Sequence, residues 1–183
     1  MAMVLDEPVM AASTDPFALY EAKALAELAD ADALAGVRAG GWSGDPTGTV
    51  ALVSGGVLPD EAAEALDKAL AALGFDGGTT FAIASRPKGA RPQAVPARLR
   101  LALEAVDVPL VLAVDPQGAI DLASAFGVER LDPGRPVRSV GRVLGSVGDF
   151  AASLPDPKLK ARSWAAIRAV AAAAGHTTQT KRP

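Results

Sequence analysis

The sequence contains no cysteine and no asparagine, and its single histidine is His176. Without cysteine there is no thiol nucleophile, no disulfide, no iron–sulfur cluster and no thiolate zinc site. Aromatic residues make up 4 % of the chain against forty alanines, which predicts close-packed helices around a core of small side chains. No apolar run approaches the ~18 residues that a membrane span requires. Met1 to Thr14 lacks a basic region and carries Asp6 and Glu7, so it does not read as a signal peptide. A soluble, cytoplasmic protein is the expectation.

What is present is enough for one folded unit. Half of the 183 residues are apolar, which suits a single domain over 1–183, with flexible segments expected at 1–14 and 175–183. The net charge of -3 hides an asymmetry. Residues 1–80 hold 13 acids and 3 bases, a balance of -10, whereas residues 81–183 hold 8 acids and 15 bases, a balance of +7. The basic half is where an anionic partner would be sought, unless the two halves neutralise each other in the fold.

Three Asp-Pro pairs, Asp15-Pro16, Asp115-Pro116 and Asp156-Pro157, mark helix starts. Aspartate caps the first free N–H groups, and proline at the next position loses no hydrogen bond. The first of these helices is expected to run to Ala35. It is followed by a glycine-rich loop holding Trp42, and then by an apolar strand over 49–54. A helix follows from Asp60 to Leu73, with Ala63, Leu66, Leu70 and Leu73 at helical spacing. A second strand is expected over 79–85, a basic loop over 86–96 and a helix over 97–106. Then come a strand over 109–114, a helix from Asp115 to Phe126, a fourth strand near 139–145 and a closing helix over 157–174 with Trp164 in the core. Apolar strands alternating with helices predict a three-layer α/β/α sandwich with a mostly parallel sheet of about four strands. Ligands of such sheets bind outside the carboxyl ends of the strands.

Three groups of candidate binding residues fall there. Ser54-Gly55-Gly56 follows a strand and precedes a helix, so its N–H groups could face a phosphate; the simpler reading is a tight connection. Arg86, Lys88, Arg91, Arg98 and Arg100 form a basic stretch with no acid before Glu104. They are a weak DNA contact, with affinity falling steeply in salt, or a solvated loop, or a patch docking an acidic partner or the acidic first helix with its Asp15, Glu21, Glu27, Asp30 and Asp32. Asp149 lies in a Gly-Asp turn and Asp115 at a helix start, and as an acid pair they would lack supporting groups. No P-loop, dinucleotide fingerprint or metal-ligand cluster is present, so no cofactor is expected.

Four segments, in order, resemble the uracil-DNA glycosylase superfamily. EALDKALAALGF at 64–75 is similar to the helix after its first motif, and SRPKGARP at 85–92 to its arginine-proline loop. LVLAVDPQGAIDLASAFG at 110–127 is similar to its third strand and following helix, and DPKLKARSWAAIRAV at 156–170 to its closing helix. The resemblance implies that fold, and a flipped uracil read by asparagine and stacked on an aromatic ring. Here the first-motif loop is reduced to SGGVLPD without an aromatic residue, and Phe81 or Ala82 falls where the asparagine belongs. Asp149-Phe150-Ala151 stands for the family's His-Pro-Ser, and the cysteines that hold an iron–sulfur cluster in the bacterial branch it most resembles are missing. The scaffold without the active site implies no catalytic residue and a binding or accessory role in DNA replication or repair, with a protein partner. The small psi subunit of bacterial clamp loaders is a precedent. The alternatives are a divergent glycosylase or hydrolase acting on another base lesion, and a nucleotide-binding domain.

Overall fold

Helices and strands alternate along the chain in a computed structural model that describes residues 15–38, 40–75 and 80–175. The elements are α1 (Pro16–Ala35), β1 (Trp42–Gly44), β2 (Val50–Ser54), α2 (Asp60–Ala71), β3 (Thr80–Ala84) and a 3-10 turn at Pro92–Ala94. After them come α3 (Val95–Val106), β4 (Leu110–Ala113), α4 (Pro116–Phe126), β5 (Val137–Ser139), β6 (Arg142–Ser146), α5 (Phe150–Ser153) and α6 (Pro157–Ala173). The expected flexible ends, 1–14 and nearly all of 175–183, lie outside the described residues, and so does His176.

All three Asp-Pro pairs open helices. The Asp15 carboxylate accepts from Phe17 N–H at 3.0 Å, Asp115 from Gly118 N–H at 2.6 Å, and Asp156 from Lys158 N–H at 2.7 Å. Gly36 and Gly127 end α1 and α4 in the left-handed conformation that glycine adopts without strain.

The sheet has six strands in the order β1-β3-β2-β4-β6-β5 and is mixed, which corrects the expectation of about four. Its centre, β3-β2-β4-β6, is parallel. The two edges, β1 on β3 and β5 on β6, are antiparallel. Both edge strands have three residues, too few for an alternating pattern to register. β5 and β6 join through Val140 and Gly141, both at positive φ (48° and 78°), the backbone of a two-residue hairpin turn.

Side chains alternate across the central strands. Ala51 and Val53 of β2 and Val111 and Ala113 of β4 face a core built with α1, α3 and α4; Val50, Leu52, Leu110 and Leu112 face a second core built with α2, α5 and α6. The architecture is therefore α/β/α. Burying Leu66 and Leu70 of α2 completely contributes about 2 kcal/mol each. Small residues bring helices close to the sheet. A Cβ on Gly118 would lie 2.5 Å from the Val53 carbonyl oxygen, so α4 packs against the backbone of β2.

Candidate functional site

The connection from β2 leaves toward β3 on one side of the sheet, and the chain returns past β2 to form β4 on the other. The carboxyl ends of β2 and β4 therefore flank the point where winding reverses, the usual ligand position in such sheets. The protein's own polar groups occupy it. The Asp115 carboxylate accepts from Gly55 N–H (2.8 and 3.1 Å to its two oxygens) as well as from Gly118 N–H. One carboxylate thus caps α4 and ties it to the loop after β2. Gly55 is required there, because a Cβ would lie 2.7 Å from Gln117 Cβ. The Ser54 hydroxyl donates to the Gly56 carbonyl. Gly55 N–H, which would face a phosphate in the cradle reading, already faces a carboxylate of the chain.

Beside it lies a second polar cluster. Asp121, buried on α4, accepts from Ser85 Oγ at 2.6 Å, from Arg86 Nε and Nη2 at 2.8 Å each, and from Gln117 Nε2 at 3.0 Å. Burial alone would push the Asp121 carboxyl up. The hydrogen bonds from Arg86 and Ser85, with the Arg86 charge and Gln117, outweigh burial and hold it below the ordinary carboxylate range. The same pairing raises the Arg86 guanidinium. This bidentate pair fixes the loop after β3 to α4.

The basic stretch divides on inspection. Arg98 is fully buried, its Nε on Asp32 Oδ1 at 2.7 Å and its Nη1 on the Ala84 carbonyl at 2.8 Å, so it is not open to a ligand. Arg91 donates to the Leu34 carbonyl at the end of α1. Arg100 pairs with Glu104 and lies 4.5 Å over the Phe126 ring. Among the described residues only Lys88 of the five is exposed without a polar contact, and half-exposed Arg86 is held by Asp121. Asp149 caps α5 by accepting from Ala152 N–H at 3.1 Å, a helix cap rather than the expected turn residue. Asp115 and Asp149 thus each serve a different helix.

A cleft of about 300 Å³ opens next to this edge, between Trp42, Ser54, Leu58 and Asp60. Trp42 is half-buried and stacks on Phe81, with ring centroids 5.9 Å apart. Sequence reasoning missed Asp121, and placed Asp32 only among the acids of the first helix, one of the expected docking partners of the basic stretch; Arg98 does reach it. Each aspartate is a lone acid on the inward stripe of its helix, among Leu28, Ala31 and Ala35 or Gly118 and Leu122, and such an acid demands a partner. Among the described residues no three His, Cys, Asp or Glu side chains are grouped to hold a metal, and no helix is long and apolar enough to cross a membrane. No family model matches the chain, and no curated protein is significantly similar to it.

Proposed function

We propose that this chain is a non-catalytic binding or accessory protein on a uracil-DNA-glycosylase-like scaffold. In this reading it works in the cytoplasm, in a DNA replication or repair assembly, chiefly through a protein partner. The observation that carries the reading is the self-occupied switch point. Asp115 takes Gly55 N–H and Gly118 N–H, and Asp121 takes Arg86 and Ser85. A glycosylase needs donors and an acid or base free to meet the flipped base and its water. The four segments that carry the resemblance fall on α2, on the loop after β3, on β4–α4 and on α6, which supports the scaffold half of the reading. The internal contacts of Arg86, Arg91, Arg98 and Arg100 favour a protein over DNA as the main partner.

The test is uracil release from a uracil-containing oligonucleotide by the purified protein, together with fluorescence anisotropy of the same strand with and without uracil. No release, and at most weak, salt-sensitive binding that ignores the uracil, is expected. Release that disappears in Asp149→Ala would instead establish a divergent glycosylase.

A further inference from the structure

The two faces of the sheet are covered unequally. Three long helices, α1, α3 and α4, lie on the first face; on the second, α2 and α6 are the only long ones among the described residues, with the single-turn α5 at one end. A trough of about 540 Å³ remains between α2 and α6. Its floor is apolar, from Ala65 and Ala69 to Phe150, Trp164 and Ile167, while Lys68 and Lys160 stand at its lips.

Its walls differ in charge. α6 carries Lys158, Lys160, Arg162 and Arg168, all exposed, and no acid follows Asp156 in the sequence. Lys160 lines the trough, Arg168 lies one turn past Trp164, and Arg162 lines a separate pocket with Leu159. Among the described residues none of these four enters an ion pair; Arg168 lies 5.9 Å over the Trp164 ring. Opposite them, α2 brings Glu61 and Glu64 beside the trough, with Lys68 held by Glu64 at 2.6 Å. Its other acids, Asp60 and Asp67, face the cleft by Trp42 and the Thr80 hydroxyl respectively. Lys160, Trp164 and Arg168 are successive turns of one stripe, as are Glu61, Ala65 and Lys68 on the other wall. Cations without an acid partner thus stand beside this trough, whereas four of the five in the 86–100 stretch have internal acceptors, Lys88 excepted.

We propose that this trough is the docking site for an amphipathic helix of a partner protein. Its apolar stripe seats on Phe150, Trp164 and Ile167, its acidic flank runs along Lys160 and Arg168, and its basic flank runs along Glu61 and Glu64. A helix laid in an apolar groove matches the floor, and the opposed walls fix its direction. A nucleic-acid strand matches less well, because the floor is apolar and Glu61 and Glu64 flank Lys68 on the α2 side. The proposal rests on the binding-protein reading above and gives it a surface.

The test uses the full chain with Trp42→Phe, which leaves Trp164 as the only tryptophan. The probe is a synthetic helical peptide of about 18 residues, or five turns, with leucine on one stripe, glutamate on one flank and lysine on the other. It should shift Trp164 emission and bind saturably with a Kd below about 100 µM, and a scrambled peptide of the same composition should bind about tenfold more weakly or less. Lys160→Glu with Arg168→Glu, both at exposed positions, should weaken binding about tenfold. A peptide with lysine in place of those glutamates should restore binding to this variant, which a folding defect would not permit. The proposal is overturned by the absence of saturable binding below about 1 mM, or by equal binding of the scrambled peptide. Preferential binding of single-stranded oligothymidylate that the charge reversal abolishes would also overturn it, in favour of a nucleic-acid surface. So would a change in Trp164 emission on deleting residues 1–14 that the peptide 1–14 reverses, since the occupant would then be the chain's own segment. Uracil release would sink the functional reading while leaving the peptide result standing, so the two failures are distinct.

Discussion

The buried pair of Arg98 and Asp32 sets the sharpest test of how the two charged halves of this chain hold each other. Arg98 has no exposed surface, and its partner's side chain is 9 % exposed. Two guanidinium arms have acceptors, Asp32 Oδ1 and the Ala84 carbonyl; Nη2 lies 2.6 Å from the same Asp32 oxygen without hydrogen-bonding geometry. Gly41 roofs that arm, since a Cβ there would stand 3.0 Å from it. Asp32→Asn keeps the shape and removes the compensating charge, leaving a guanidinium in a site closed to water. Breaking such a pair costs about 3–5 kcal/mol, a large part of the 5–15 kcal/mol that stabilises a typical domain. With a urea slope of about 2 kcal/mol/M, the unfolding midpoint should fall by roughly 2 M, followed by far-UV circular dichroism. Replacing both partners, Arg98→Met with Asp32→Leu, removes the stranded charge and should recover most of that loss. A midpoint shift under about 0.3 M for Asp32→Asn would mean that water or backbone motion reaches the guanidinium, and the buried-pair argument would fail.

Three further outcomes follow from local geometry. Because its partners hold Asp121 below the ordinary carboxylate range in the folded state, its stabilisation is present above the unfolded value of about 4 and lost as pH falls through the lower folded value. Asp121→Asn should therefore be less stable than the parent at neutral pH, with the gap closing in urea titrations below about pH 4; a gap independent of pH would remove the charge from the explanation. Val140, 62 % exposed and at φ 48°, is a branched residue in a left-handed turn position, so Val140→Asn should stabilise by about 1 kcal/mol, or raise Tm by roughly 3 °C, and a lower Tm would contradict the strain. Gly118→Ala gains about 1 kcal/mol of helix propensity but sets a Cβ 2.5 Å from Val53 O, so a net loss of about 2 kcal/mol is expected by thermal denaturation, and a net gain would show that α4 can lift off β2.

The parallel centre of the sheet was legible because its strands are apolar on both faces and its helices begin with Asp-Pro, signals that are local. The edge strands were not, because Trp42–Gly44 and Val137–Ser139 exist only through their pairing with β3 and β6. The site was legible in position but not in state. Strand ends locate Gly55 and Asp115, while only the fold shows that the glycine's N–H faces the aspartate's carboxylate across 60 residues. Charge was the least legible feature, for a physical reason. A run such as Arg86 to Arg100 reads as a patch in one dimension, yet a helix and its approach turn point successive side chains in different directions. Arg98 goes inward to an acid of the other half, Arg91 goes back to α1, and Arg100 goes along its own helix to Glu104. What distinguishes a binding surface from such a run is whether each cation has an internal acid within reach. In α3 Arg98 and Arg100 have one, and among the described residues Lys158, Lys160, Arg162 and Arg168 of α6 form no ion pair. Lys160, at the lip of the apolar trough, and Arg168, one turn beyond Trp164, are therefore cations that no acid of the described residues holds.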